Sequence, residues 1–323
     1  MKKNSLFVSV IAPFFNEGDV IERALSGMVE SLENAPFDWE LICVNDGSTD
    51  NGFEVANNFA ASDSRIKILG YQRNRGRGYA LAFGAYQSKG DILVTTEIDL
   101  SWGNDIVQRL VAKLVEEPDL NIVIASPNLP GGGYKNVPFK RIFLSKLGNQ
   151  IIRRAQGSAI TMYTGMTRAY TADCFKGIPI DEFGKEFHLD VAQKAMALGY
   201  SIAEISCVLE WKDKTLLRPG AKPRKSSSKI SALMKTHLLF AIAAAPFRYL
   251  IPMAIGTLSL STILVVVALI NYLSDRPSLL LIVLASVFGL ISISIFGFAL
   301  NSFQNIKIRD EIWKVRSALP KRF

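Results

Sequence analysis

Short apolar runs alternate with amphipathic segments over the first two thirds of the chain. The runs predict strands at Phe7–Ala12, Glu40–Val44, Ile66–Leu69, Asp91–Thr95 and Asn121–Ala125. Segments with helical spacing lie between them, at Glu17–Glu33, Asp50–Ala61, Gly78–Ser88 and Asn104–Glu117. Strands that are apolar on both faces are typical of a mostly parallel sheet covered by helices. The pattern therefore predicts a doubly wound α/β domain whose ligand site lies at the carboxyl ends of the strands.

Two long apolar runs follow near the C-terminus. Neither Leu250–Leu273 nor Ser278–Leu300 contains a charged residue, and each exceeds the ~20 residues that cross a hydrocarbon core as a helix. The short linker between them predicts a tight antiparallel hairpin, whereas two buried helices of a large soluble core are the alternative. No signal peptide is expected, because Phe7–Pro13 is too short and polar residues follow it.

The basic residues flank these apolar runs. Of the net charge of +8, residues 212–235 contribute eight Lys/Arg and one acid, and residues 302–323 contribute six Lys/Arg and two acids. The rest of the chain therefore carries a small negative charge, which argues against a nucleic-acid partner and for a membrane-lipid surface. The positive-inside rule then predicts that both termini and the α/β domain are cytoplasmic.

The pattern divides the chain into four parts. They are a cytoplasmic α/β domain (1–211), a basic loop with an interfacial amphipathic helix (212–248), two transmembrane helices (249–301) and a basic cytoplasmic tail (302–323). Three widely spaced cysteines fit reduced thiols and predict neither a disulfide framework nor a zinc site.

Polar clusters follow three of the predicted strands. They are Pro13-Phe14-Phe15-Asn16-Glu17, Asn45-Asp46-Gly47-Ser48-Thr49-Asp50 and Glu97-Ile98-Asp99-Leu100-Ser101. Because parallel strands end at one edge of a sheet, these clusters predict a single site. A dinucleotide fingerprint fails, since Gly76-Arg77-Gly78 is followed by Leu81 where the third glycine is required.

The same segments resemble glycosyltransferase family 2, and within it the polyprenyl-phosphate sugar synthases, such as the dolichyl-phosphate mannose synthases and the bacterial undecaprenyl-phosphate glycosyltransferases. The likeness rests on Val10–Glu17, Cys43–Ser48, Arg73–Gly78 and Glu97–Ser101, in family order. It implies a GT-A fold, a Rossmann-like and mostly parallel sheet, followed by interfacial helices and a two-helix transmembrane hairpin. It also implies an inverting glycosyltransferase.

The resemblance implies a nucleotide-sugar site and a divalent cation. The candidate donor contacts are Pro13, Phe15, Asn16, Glu17, Asp46, Arg75, Gly76, Glu97 and Ile98. Asp99 and Glu97 are the candidate ligands of Mg²⁺ or Mn²⁺, since oxygen ligands suit these hard cations. Glu97 stands where the family usually has Asp. Its alternative roles are to hydrogen-bond the sugar or to bind the metal through a water molecule. UDP and GDP donors both remain open.

The resemblance also implies a polyprenyl-phosphate acceptor. Arg141, Ser145 and Lys229 are the candidate contacts to its phosphate, and Arg141 is counted with Asp99 and Asp190 as a catalytic candidate. Asp190 is expected to contact the donor sugar or to fix the active-site loop. A phosphate monoester is mostly dianionic at neutral pH, so its attack on the sugar needs no general base.

The predicted function is thus transfer of a sugar from a nucleotide-sugar to a polyprenyl phosphate, in an integral membrane protein of a prokaryotic plasma membrane. A membrane transferase that glycosylates a glycan or glycolipid hydroxyl is an alternative, and so is a catalytically silent membrane scaffold. A hairpin of two helices offers little membrane packing by itself, which makes a homo-oligomer a candidate arrangement.

Overall fold

The computed structural model describes residues 6–184, 186–211 and 245–319. The described residues form two compact units. The first contains residues 6–149, 159–211 and 313–319, and the second contains residues 150–158 and 245–312. The first unit holds the predicted α/β domain and the second holds the predicted helical hairpin.

Two sheets are found among the described residues of the first unit. The strands in chain order are β1 (Phe7–Phe14), β2 (Asp38–Asn45), β3 (Ile66–Gly70), β4 (Ile92–Thr95), β5 (Ile122–Ser126), β6 (Gly133–Lys135), β7 (Arg168–Thr171), β8 (Ile202–Ser206) and β9 (Val208–Glu210). The main sheet has the order β3-β2-β1-β4-β7-β5-β8, and β6 pairs with β9 in the small sheet. Every pairing is parallel except those that β7 makes with β4 and β5.

The hydrophobic pattern predicts the four helices that lie between β1 and β5, and the described residues contain nine helices in all. They are α1 (Ile21–Glu33), α2 (Gly52–Ala60), α3 (Arg77–Tyr86), α4 (Ile106–Glu116), α5 (Phe139–Gln156), α6 (Ala172–Gly177), α7 (Phe187–Ala197), α8 (Pro246–Leu273) and α9 (Leu279–Ser317). The predicted start of the first helix, at Glu17, is wrong by four residues. The backbone carbonyl of Glu17 accepts from the amides of Val20 and Ile21, so a turn precedes the helix.

The core lies where the central strands meet the helices. The strand residues Val8, Val10, Ile11, Leu41 and Ile42 are fully buried. Helix α3 approaches the sheet closely, because a Cβ at Gly84 would lie 2.7 Å from the Ile11 Cγ2 atom. Such packing on both faces explains why these strands are apolar throughout.

The carboxyl ends of β1, β2 and β4 meet at one edge of the main sheet. Strand β1 lies between the other two, with Ala12 opposite Cys43 and Ile11 opposite Thr95. The three polar clusters therefore emerge side by side, which confirms the predicted convergence. Pro13 is tolerated in β1 because pairing with β4 ends at Ile11, so no ladder bond is lost on that side.

Strand β7 is the exception to the predicted parallel pattern. It is short, and it runs antiparallel between β4 and β5. Its direction places its amino end, rather than its carboxyl end, at the edge where β4 finishes. Thr167, the residue before β7, thereby reaches the polar cluster that follows β4.

The second unit is built around α8 and α9, which have the length and composition of membrane-spanning helices. Their most apolar windows have mean hydropathies of 2.4 and 2.8. The predicted second apolar run ended at Leu300, but α9 continues to Ser317, so a large part of the predicted tail is helical. Of the predicted loop and interfacial helix at 212–248, residues 212–244 lie outside the described residues.

The helices of the hairpin pack through small side chains spaced seven residues apart. The buried small residues are Ala254, Ser261 and Ala268 on α8, and Ala285, Ser292 and Ala299 on α9. The Ser261 hydroxyl donates to the Ala285 carbonyl at 2.7 Å, and the Ser292 hydroxyl donates to the Ala254 carbonyl at 2.7 Å. Small residues and interhelical hydrogen bonds of this kind are typical of helix packing in membranes.

Candidate active site

The loop after β2 is organised around the Asp46 carboxylate. Its Oδ1 atom accepts from the Tyr71 hydroxyl at 2.8 Å and from the backbone amides of Arg75 and Gly76 at 2.9 and 3.1 Å. Its Oδ2 atom accepts from the Asn74 side chain at 3.0 Å. Asp46 is buried, and these donors compensate for the loss of hydration. The carboxylate therefore shapes the 71–76 loop from within.

Gly47 allows the two loops to come this close. A Cβ at this position would lie 2.4 Å from the backbone of Arg73 and of Asn74, and Gly47 has a φ of 69°. A larger residue would thus push the 71–76 loop away from Asp46 and would also strain the backbone.

The loop after β1 joins the loop after β2 through Asn16. Its amide donates to the Ser48 hydroxyl at 3.0 Å, and its side-chain oxygen accepts from the Thr49 amide at 2.8 Å. Asn16 adopts a φ of 53°, which Asn tolerates better than most residues. The structure therefore brings Asn16 and Asp46 into one assembly.

The remaining predicted donor contacts differ in their exposure. Pro13 and Glu17 are partly exposed, Phe15 is exposed, and Ile98 is buried between the two acids after β4. The guanidinium of Arg75 lies 3.6 Å from the ring centroid of Tyr79. Gly76 precedes the first turn of α3 with a φ of 94°. A shallow surface depression is lined by Tyr71, Gln72, Arg73, Asn74 and Arg75.

Two carboxylates lie together after β4. The Oε2 atom of Glu97 accepts from the Thr167 hydroxyl at 2.6 Å and from the Trp102 indole at 2.8 Å. The Oδ1 atom of Asp99 accepts from the amide and hydroxyl of Ser101. Within the described part of the chain, the second oxygen of each carboxylate has no hydrogen-bond donor. Each acid is thus held through one oxygen and presents the other.

Burial raises the pKa of the Glu97 carboxyl, and the Asp99 charge adds to that effect. The Thr167 hydrogen bond and the positive charge of Arg77 oppose it. A cation near both carboxylates would relieve the repulsion between them.

The residues present fit a divalent cation that is shared with a substrate. No group of three or more His, Cys, Asp or Glu that could hold a metal occurs among the described residues. Mg²⁺ is commonly bound by one or two carboxylates together with substrate phosphates. Glu97 and Asp99 supply that number of protein ligands.

Phe183 and Phe187 pack against the start of α3. A Cβ at Gly78 would lie 2.7 Å from the Phe183 carbonyl oxygen and 2.7 Å from the Phe187 Cβ atom. The rings of Phe183 and Tyr79 meet edge to face, with their centroids 5.3 Å apart. Phe183 thus lies beside the 71–76 loop that Asp46 organises.

His188, which contacts the ring of Phe187, and Arg168 are both buried. The Arg168 guanidinium donates to the backbone carbonyls of Gly165, His188 and Tyr163. Neither ring nitrogen of His188 has a hydrogen-bond partner among the described residues. Burial lowers the pKa of His188 well below its ordinary value, and the charges of Arg168 and Arg77 act in the same direction. His188 is therefore neutral near pH 7.

Asp190 lies in the first turn of α7, where its Oδ2 atom accepts from the Lys194 ammonium at 2.7 Å. Burial raises the pKa of Asp190, although Lys194 opposes the shift. No hydrogen bond connects Asp190 with Glu97 or Asp99 within the described ranges. The structure therefore gives Asp190 a firm partner of its own and leaves its predicted contact to the sugar as a prediction.

The candidate acceptor contacts lie on α5. The Arg141 guanidinium lies 4.3 Å from the ring centroid of Trp211, and the Ser145 hydroxyl accepts from Asn149 at 3.4 Å. Lys146, one residue further along, lies 5.8 Å from the ring centroid of Tyr134. Lys229 lies outside the described residues. The structure thus places Arg141 and Ser145 one helical turn apart, as neighbours on one helix face.

Sequence reasoning missed several residues that shape the site. Thr167 and Trp102 hold Glu97, and Tyr71 and Asn74 hold Asp46. Trp102 directly follows the acidic cluster, so its position is a usable signal. The role of Thr167 depends on the antiparallel direction of β7, which the hydrophobic pattern does not reveal.

Comparison with known proteins identifies the family of this chain. The family model described as "Glycosyl transferase family 2" matches residues 9–178. An undecaprenyl-phosphate 4-deoxy-4-formamido-L-arabinose transferase from Pseudomonas fluorescens is 29% identical over 50% of this chain and 46% of its own length. A dolichyl-phosphate beta-glucosyltransferase from Trichomonas vaginalis is 30% identical over 38% of this chain and 39% of its own length. The chain thus spans less than half the length of these relatives.

A solved structure with a similar fold is glucosyl-3-phosphoglycerate synthase from Mycobacterium tuberculosis, in complex with Mn²⁺, UDP-glucose and phosphoglyceric acid. It superposes with a TM-score of 0.55 at 17% identity and covers 74% of this chain and 79% of that chain. At this identity the likeness shows the fold alone.

Proposed function

Because this chain belongs to glycosyl transferase family 2, we propose that it transfers a sugar from a nucleotide-sugar to a polyprenyl phosphate. The observation that carries the proposal is the meeting of three polar clusters at the carboxyl edge of the sheet. There Asp46 organises one loop, and Glu97 and Asp99 each present a carboxylate oxygen. The matched relatives, whose names include undecaprenyl and dolichyl phosphate, support the acceptor class.

In the proposed reaction, an oxygen of the lipid phosphate attacks the anomeric carbon of the sugar. A new carbon–oxygen bond forms as the bond to the diphosphate breaks, and a nucleoside diphosphate leaves with the bonding electrons. The anomeric configuration inverts. No proton has to move, because the attacking phosphate is already ionised at neutral pH.

The residues of the chain then act mainly by positioning and by charge. Asp99 and Glu97 would hold Mg²⁺ or Mn²⁺, which neutralises charge on the departing diphosphate. The loop around Asp46, with Asn16 and Arg75, holds the nucleotide. Such preorganised contacts contribute to catalysis without a covalent step.

Arg141 and Ser145 contact the acceptor phosphate. A guanidinium engages a phosphate with two hydrogen bonds. The exposed side chains of Phe139 and Phe143 lie on the same helix turns and suit contact with a lipid. Lys229 is a further proposed contact to the acceptor phosphate, on the basis of its positive charge alone.

The membrane placement is part of the proposal. The helices α8 and α9 span the membrane as a hairpin, and both termini and the α/β domain lie on the cytoplasmic side, because Lys and Arg accumulate on either side of the hairpin. Association of several chains through their hairpins would add packing that two helices lack.

An acceptor comparison tests the proposal. Purified full-length protein in lipid nanodiscs would be incubated with Mn²⁺ and a panel of labelled UDP- and GDP-sugars. Undecaprenyl phosphate and dolichyl phosphate would be compared with undecaprenol and dolichol, which carry a hydroxyl in place of the phosphate. We expect a lipid-linked sugar from a phosphate acceptor and none from its alcohol. Products from the alcohols or from glycolipids alone would contradict the proposal, and so would the absence of any product.

A further inference from the structure

A chain of ion pairs connects Asp190 to the last turn of α9. The Lys194 ammonium lies 2.7 Å from the Asp190 carboxylate and 2.8 Å from the Asp181 carboxylate. Asp181 in turn accepts from both terminal nitrogens of Arg316, at 2.8 and 2.9 Å. This bidentate pair fixes the direction of the Asp181 carboxylate as well as its position.

The middle of this series of ion pairs is buried. The Lys194 side chain is 1% exposed, and the ring of Trp313, also on the last turns of α9, lies 5.3 Å from its ammonium. A buried ammonium is costly unless carboxylates surround it. Lys194 therefore depends on both Asp190 and Asp181 for its position.

Asp181 stays ionised in this arrangement. Partial burial alone would raise the pKa of Asp181, but hydrogen bonds from Arg316 and Lys194 outweigh burial and hold it below its ordinary value. Two acidic and two basic side chains thus alternate along this series of ion pairs. The two inner groups, Lys194 and Asp181, each contact two partners.

Two residues that precede α7 are held in place. The Phe183 carbonyl packs against Gly76 and Gly78 at the start of α3, beside the loop that Asp46 organises. Asp181, two residues earlier in the sequence, is paired with Arg316. Residues 313–319 belong to the same compact unit as the sheet, so the end of α9 contributes to the framework of the candidate site.

We propose that Arg316 is a positioning residue for sugar transfer, because its bidentate contact with Asp181 fixes Lys194 and, through Lys194, orients Asp190 in the first turn of α7. The role rests on the proposed function of this site. An exposed ion pair contributes little to stability, and both Asp181 and Arg316 are more than 40% exposed. The pair therefore acts on geometry more than on folding.

The test compares Arg316→Ala and Arg316→Lys with Lys307→Ala. The control removes a cation from the same helix, where Lys307 lies 4.8 Å from the ring of Phe303 and outside the ion-pair chain. Hydrogen exchange of amides 181–192 would be measured in nanodiscs without substrate, and kcat and donor KM would be measured with polyprenyl phosphate.

For Arg316→Ala we expect faster exchange over 181–192, a kcat about tenfold lower and a donor KM within twofold of wild type. Arg316→Lys should recover part of the kcat, since it keeps the charge but loses the bidentate geometry. Lys307→Ala should match wild type in both measurements.

Equal exchange in Arg316→Ala and Lys307→Ala would overturn the inference, and so would an unchanged kcat. A loss of folded protein with unchanged kcat per folded molecule would show a purely structural role and would also overturn it. If the wild-type protein transferred no sugar, that result would instead contradict the proposed function. The exchange comparison could still be made, because it needs no substrate.

Discussion

At the scale of single residues, the site depends on acids that accept several hydrogen bonds. Asp46 shows this most fully, because its two oxygens accept four donors from the 71–76 loop. Glu97 likewise accepts hydrogen bonds from Thr167 and Trp102, but both reach the same carboxylate oxygen. Such acids position both backbone and side-chain groups. Replacing one of them therefore changes the geometry of the loop as well as the charge of the site.

We predict that Asp46→Asn weakens nucleotide binding by roughly tenfold to a hundredfold. An amide replaces one acceptor oxygen with a donor, so the carboxylate's hydrogen bonds to the 71–76 loop cannot all form. Hydrogen bonds to charged groups contribute about 1.5–3 kcal/mol each, and about 1.4 kcal/mol corresponds to a factor of ten in affinity. Calorimetry with UDP and GDP in the presence of Mn²⁺ measures the effect.

Asp63→Asn is the matched control, since Asp63 is a surface acid paired with Arg65 and lies before β3, at the opposite end of that strand from the site. It should bind nucleotide like the wild type. Wild-type affinity in Asp46→Asn would show that the 71–76 loop does not hold the nucleotide.

At the scale of elements, the hydrophobic pattern predicts the α/β strands and helices of the first 126 residues well. Runs such as Leu41-Ile42 are buried on both faces of the sheet, which is the situation that the pattern encodes. The pattern fails where a few residues form a strand that depends on its neighbours. Strand β7 is one such case, because its place between β4 and β5 is set by tertiary pairing.

Composition predicts the hairpin but does not predict how its two helices pack. Length and hydropathy identify two apolar helices. The contact surface consists of the buried small residues spaced by seven. Among them, Ser261 and Ser292 donate across the hairpin, whereas Ser294 donates to a carbonyl of its own helix.

We predict that Ser292→Leu destabilises the hairpin. The larger side chain cannot fit against Ala254, and the hydrogen bond to its carbonyl is lost. Interhelical hydrogen bonds contribute up to about 1–2 kcal/mol, and steric overlap adds to that loss. Thermal unfolding in detergent measures the change.

The control for this substitution is Ser294→Leu, because Ser294 is exposed on the same helix and its hydroxyl donates to the Leu290 carbonyl of that helix. It should melt at the wild-type temperature or above it. Equal melting of the two variants would show that the small-residue surface does not hold the helices together.

At the scale of the whole molecule, charge and topology give a consistent account. The basic excess lies on either side of the apolar helices, and three polar clusters meet at one edge of the sheet. Both features are predictable, because they follow from composition and from the parallel direction of the strands. The contact between Asp181 and Arg316 is not predictable in this way, since 135 residues separate them and no local pattern connects them.

The central claim is that Asp99 and Glu97 hold a cation that sugar transfer requires. Its most direct test is the formation of polyprenyl-phosphate-linked sugar by the full-length protein in nanodiscs. Asp99→Asn would be compared with Asp105→Asn, an exposed acid near the start of α4. We predict product from the wild type and from Asp105→Asn with Mn²⁺ or Mg²⁺, and none from folded Asp99→Asn or after chelation of the metal. Wild-type turnover by Asp99→Asn, or undiminished turnover in chelator, would contradict the account.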